Sequence, residues 1–175
     1  GDQAFFLIHE RFWNMDFDRW TYNGFVTIDP TPHSNVWLSY DVGPVPHYDA
    51  EKEEDLYLGF GWAGEVGAQV SLAARLQLEA SLVGEQFRRT AAGALVYNTL
   101  INRLKANLNL SRPFSIRVIE EWNTFDETLD SSLLIGYERN YGTAVYAGYS
   151  EQYDFAERDW VARNVFAKVG YLWRP

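Results

Sequence analysis

The chain has 175 residues, with 15 Lys and Arg against 24 Asp and Glu, a net charge of -9 and no Cys. That length suits a single domain over 1–175; the acidic balance argues against nucleic acid, which calls for a basic face; and disulfides and cysteine metal sites are excluded. Seven Trp, 11 Tyr and 11 Phe make 17% of a chain whose mean hydropathy is only -0.30, an aromatic excess that needs a use. No stretch reaches ~18 consecutive apolar residues, so a transmembrane helix is not expected. Gly1-Asp2-Gln3 carries neither an initiator Met nor a signal-peptide pattern, as expected of a processed chain or a piece of a longer one.

Period-two alternation runs from end to end and predicts about ten strands, over 3–13, 18–30, 34–43, 54–72, 76–88, 95–110, 114–124, 129–139, 143–153 and 160–173. The fourth is the clearest. Its even positions read Leu56, Leu58, Phe60, Trp62, Gly64, Val66, Ala68, Val70, Leu72, against Asp55, Tyr57, Gly59, Gly61, Ala63, Glu65, Gly67, Gln69, Ser71. At ~3.3 Å per residue such a strand is on the order of 60 Å long, far beyond the ~5–6 residues usual in globular proteins. Tight turns centred on Pro32, Ala74, Arg112 and Tyr141 pair like with like: Val26 with Leu38, Val70 with Leu78, Leu108 with Ile116, Leu110 with Phe114, and Ile135 with Ala147. The connections over 42–54, 88–94 and 154–159 are longer and mostly polar, so one end of the sheet is trim and the other ragged. Outer-membrane barrels have that asymmetry.

Trp20, Tyr22, Tyr40, Trp62, Trp122, Tyr137, Tyr149, Tyr171 and Trp173 share the apolar parity and read as aromatic girdles at a membrane interface. Gly24 facing Tyr40 and Gly136 facing Tyr146 look like glycines covered by an aromatic across strands. The opposite parity carries Glu79, Arg103, Lys105, Arg117 and Glu121, and the Arg112 turn sets Arg103 against Glu121. In a narrow barrel these charges pair inside the lumen.

The last strand, Lys168-Val169-Gly170-Tyr171-Leu172-Trp173-Arg174-Pro175, resembles the assembly signal that ends bacterial outer-membrane proteins, with Lys168, Gly170, Tyr171 and Trp173 in its slots and Pro175 where a final aromatic is usual. The run Asn107 to Arg117, followed by Glu121-Trp122-Asn123-Thr124, Leu133-Leu134 and Tyr146-Ala147-Gly148-Tyr149, resembles the C-terminal barrel of large outer-membrane proteins carrying domain of unknown function 5916, often with an N-terminal family-9-like carbohydrate-binding module. The resemblance covers about 55–175 and implies fold and location. It also implies that the chain could be the C-terminal part of a larger barrel.

No catalytic signature is found, and no cofactor or metal site is expected. His9 and Glu10 alternate across a strand, while His33 and His47 fall in predicted exposed turns; His9 and His47 are the only bases a hydrolase would have. The acidic run Asp49, Glu51, Glu53, Glu54, Asp55 reads first as a solvated loop. Its functional version is a Ca²⁺ or Mg²⁺ bridge to lipopolysaccharide phosphates. The expectation is therefore all-β: a monomeric, antiparallel, up-and-down transmembrane barrel of about ten strands in a Gram-negative-type outer membrane, serving as anchor, scaffold or narrow solute route with an occluded lumen. Its expected partners are lipid, lipopolysaccharide and the barrel-assembly machinery, with a glycan or a larger chain as a further candidate. The rivals are a soluble β-sandwich binding glycans through exposed aromatics and, third, an outer-membrane hydrolase.

Overall fold

The computed structural model describes residues 1–12, 14–47, 55–73, 75–140 and 143–171. Ten antiparallel strands follow one another: β1 (Asp2–Phe12), β2 (Met15–Thr31), β3 (Ser34–Pro46), β4 (Leu58–Leu72), β5 (Leu76–Arg88), β6 (Leu95–Ser111), β7 (Phe114–Asn123), β8 (Thr128–Asn140), β9 (Thr143–Asp154) and β10 (Asp159–Tyr171). They form one sheet in sequence order, each strand bonded to the next, with β1 and β10 as its two edges. There is no Greek-key crossover, and no α-helix forms among the described residues. Connections after β2, β4, β6 and β8 span 32–33, 73–75, 112–113 and 141–142, and those after β3, β5, β7 and β9 span 47–57, 89–94, 124–127 and 155–158. Short turns and longer loops thus alternate. The first connection is an exception among the longer set, spanning only 13–14.

Parity predicts most of the register. Leu108 faces Ile116, Ile135 faces Ala147 and Tyr137 faces Val145. Near the Arg112 turn the ladder shifts between Asn109 and Ser111, so Ser111 rather than Leu110 stands opposite Phe114. An irregularity of this kind adds local twist where the chain reverses. Strand β2 starts at Met15 instead of about 18, because the ladder with β1 continues through His9↔Asp18 and Arg11↔Asp16 to Phe12↔Met15. Strand β3 continues to Pro46 although a loop is expected from 42. Pro44 and Pro46 lie two apart, so both missing N–H groups fall on one side of the strand and the other side's bonds are unaffected.

Two compact units can be distinguished: one comprises 1–28, 36–66 and 83–100, the other 29–35, 67–82 and 101–175. Each has its apolar parity on one face and its polar parity on the other. Buried hydrophobic residues are few: among the described residues they are Phe17, Leu56 and Phe87. Leu56, expected on the apolar face of the fourth strand, precedes β4 and packs with Phe17 and Phe12.

Candidate functional site

The apolar face is largely uncovered. In the first unit Phe5, Leu7, Trp20, Leu38, Leu58, Trp62 and Val66 are exposed, Leu7 at 82%; in the second, Leu72, Leu78, Leu104, Trp122, Leu133, Ile135, Val145, Val165 and Val169 are exposed, Val165 at 83%. In each unit these exposed apolar side chains form a surface of the kind suited to contact with another apolar body.

Aromatic side chains stand on it in groups. In the first unit Phe5 stacks on Trp20 at 6.1 Å, Phe60 meets Trp20 edge-on at 6.2 Å, and Tyr22 lies 5.8 Å from Tyr40. Tyr40 covers Gly24: a Cβ there would fall 2.6 Å from its ring. Trp62 covers Gly84 in the same manner, at 3.1 Å. In the second unit Trp122 is 6.3 Å from Phe155, and Tyr153 meets both Phe155 and Trp160 edge-on at about 5 Å. Tyr137 stands opposite Val145 near the 141–142 turn. Three members of the expected girdle, Tyr22, Tyr40 and Tyr149, sit in the middle of β2, β3 and β9 rather than at strand ends. Tyr149 lies between Leu133 and Val165, and its hydroxyl donates to Glu151.

The polar face pairs its charges. In the second unit Lys105 Nζ lies 3.1 Å from Glu79 Oε2, Arg103 Nε lies 3.6 Å from Glu121 Oε2, and Arg117 Nε donates to Asn107 Oδ1 at 2.9 Å. Asn107 in turn donates to Gln77 Oε1 at 3.3 Å. Beside these, Arg103, Glu121, Asp130, Ser132, Ser150 and Asn164 line a cleft of about 360 Å³, open because β8–β10 carry small side chains there. In the first unit Trp37 Nε1 donates to Glu65 at 3.0 Å, and the Thr21 hydroxyl donates to the Asp41 carboxylate, 2.9 Å from Oδ1 and 3.0 Å from Oδ2.

One assembly at the ragged end is not legible as a motif. His47, expected in an exposed loop, is half-buried between rings, 4.9 Å from Tyr57 and 5.7 Å from Phe87, and Phe87 continues the stack to Tyr97 at 5.5 Å. Arg89 lies over Tyr57 at 5.2 Å. Among the described residues His47 Nδ1 is the buried side-chain atom without a hydrogen-bond partner. The available signal is Gly59, whose missing side chain makes room for the Phe87 ring. His9 instead hydrogen-bonds Asp18 at 2.7 Å on the exposed surface.

In the last strand Lys168 faces Tyr146, Gly170 faces Ala144 and Tyr171 faces Thr143, while Trp173 lies outside the described residues. Of the acidic run, Asp49, Glu51, Glu53 and Glu54 also lie outside them, and Asp55 is exposed. Among the described residues no group of three or more His, Cys, Asp or Glu is placed to hold a metal. Comparison with known families, curated proteins and solved structures finds no match to the chain.

Proposed function

We propose that this chain is a β-barrel of a Gram-negative-type outer membrane, acting as an anchor, scaffold or narrow solute route. The observation that carries the reading is the exposed apolar parity of an all-antiparallel sheet whose opposite parity holds the Lys105–Glu79 and Arg103–Glu121 pairs. A sheet survives in hydrocarbon only if its backbone groups are bonded all round, which a closed barrel achieves. Ten strands in sequence order leave β1 and β10 antiparallel, so a ladder between them closes the sheet without a crossover. The Trp122, Tyr153 and Trp160 group at strand ends suits the headgroup level, and the short turns alternating with longer loops suit periplasmic and outer sides respectively. Domain of unknown function 5916 remains the family resemblance behind this reading, with lipid, lipopolysaccharide and the assembly machinery as the partners it implies.

Extraction and gel mobility test it. The protein should resist alkaline carbonate, enter solution only with detergent, and migrate differently before and after boiling. Recovery of folded protein in aqueous buffer would refute the membrane assignment and favour a soluble glycan-binding role for the exposed aromatics.

A further inference from the structure

On the polar face of the second unit, the registers of β6–β10 set two rows side by side. In one, Arg103 stands opposite Glu121, Glu121 opposite Asp130 and Asp130 opposite Gln152; in the next, Ser132 stands opposite Ser150 and Ser150 opposite Asn164. These rows line the cleft of about 360 Å³, a volume within the ~300–1,000 Å³ of small-molecule sites. Asp130 and Gln152 lie two residues inside Thr128 and Asp154, where β8 starts and β9 ends, so the cleft adjoins the longer connections. Toward the short turns the same face is bridged by the Lys105–Glu79 pair and by Arg117 bonded through Asn107 to Gln77.

The polar groups of the cleft are under-used within the chain. Glu121 and Asp130 face each other directly, a pairing that like charge disfavours. Between them they hold one guanidinium, with Arg103 Nε 3.6 Å from Glu121, and one amide, with Gln152 Nε2 3.3 Å from Asp130. Among the described residues Ser132, Ser150 and Asn164 have no side-chain hydrogen-bond partner. One row nearer the short turns an apolar ring stands on this polar parity. Phe166 is opposite Gly148 and lies across it, where a Cβ would clash with the ring, and it is 49% exposed.

We propose that this cleft binds a neutral saccharide, with the apolar face of a pyranose ring on Phe166 and its hydroxyls on Asp130, Ser150 and Asn164. A hydroxyl donates and accepts at once, so it matches carboxylate, amide and hydroxyl groups set side by side. Strands ~4.8 Å apart hold those groups at the separation of alternate equatorial hydroxyls on a sugar ring. Two carboxylates against one guanidinium repel a phosphate or a carboxylic acid. Phe166 supplies what the polar groups lack, a flat apolar surface for the ring's C–H face, and Gly148 leaves it room to lie beside Ser150. The site is made by the polar face alone and does not depend on what meets the apolar face. On the barrel reading it is entered from the loop end and stopped by the charge pairs beyond it, which makes the chain a receptor rather than a route.

The test is saturation-transfer NMR on the protein in phosphatidylcholine nanodiscs, free of sugar detergents, with glucose, galactose, mannose, maltose, cellobiose and lactose as probes. At least one should show saturable transfer at millimolar concentration or below. Asp130→Ala, Asn164→Ala and Phe166→Ala should each weaken that binding roughly fivefold or more, and Asn109→Ala, on the same parity near the short turn, should leave it unchanged. Circular dichroism checks that each variant folds. Ser150→Ala, which removes a single hydroxyl, carries the test if Phe166→Ala does not fold. Absence of saturable transfer from all six sugars to the folded wild type would overturn the site. Cleft variants that fold and bind as wild type does would overturn it equally, as would tighter binding of inorganic phosphate than of any sugar. A chain that folds in buffer without detergent and still binds would overturn the membrane reading and leave the saccharide site standing.

Discussion

At Val70, Ala68 and Leu78 the side chain belongs to the apolar parity, and at Gln69 to the polar one. On the membrane reading, an Arg placed at each of the first three should destabilise the protein by roughly 2–4 kcal/mol, the cost of a cation near the bilayer midplane, and Gln69→Arg by distinctly less. Denaturant titration in liposomes measures this, and equal costs at Ala68 and Gln69 would reverse the assigned faces. Distances also rank the charge pairs. Lys105 and Glu79 are 3.1 Å apart with side chains 27% and 24% exposed, whereas Arg103 and Glu121 are 3.6 Å apart at 48% and 38%. The more enclosed pair is less screened, so Glu79→Ala should cost about 1–2 kcal/mol and Glu121→Ala less than about 1. The same titration checks the order.

Two of the longer connections share a design. Asn123 Oδ1 accepts from the amides of Phe125 and Asp126, and Asp154 Oδ1 accepts from those of Ala156 and Glu157. Each connection closes on a left-handed residue, Glu127 at φ 52° and Arg158 at φ 57°. Such backbone disfavours a residue with a Cβ, so Glu127→Gly and Arg158→Gly should be neutral to stabilising, by up to about 1 kcal/mol, while Asn123→Ala and Asp154→Ala should each cost about 1 kcal/mol. Thermal or denaturant midpoints of the four variants decide it. Elements of this kind show how far sequence reading reaches. The hairpins around Arg112 and Tyr141 are legible because matching apolar parity on both sides of a turn leaves few registers open. The alignment of Glu120, Ser131, Glu151 and Arg163 across β7 to β10 is not, because it needs three successive registers at once, and in a single strand Glu120-Glu121 reads merely as a charged interruption. The His47 stack escapes for a related reason: Tyr57, Phe87 and Tyr97 belong to three different segments, and only the fold brings them together.

For the whole molecule, strand number bears on transport. Barrels of ~8 strands are filled by side chains and those of ~16–18 hold a water-filled pore, so ten strands fall near the filled end. On the barrel reading, Trp37 bonded to Glu65 and the Lys105–Glu79 and Arg103–Glu121 pairs occupy the interior. Planar-bilayer recordings of the purified protein should show no steady porin-like current. Sustained ionic conductance from the unmutated chain would favour an open channel instead.

All nine ladders of the sheet join strands adjacent in sequence. Each can therefore form by zipping outward from its own turn, with little chain entropy lost per step. A closing ladder between β1 and β10 is of another kind, since it must bring together segments separated by almost the whole chain. It would form last, and it has no turn to hold its ends together if it opens. That seam is then where a closed barrel of this design is kinetically weakest: amide hydrogens on β1 and β10 should exchange before those of β5 and β6, and lateral opening would begin there.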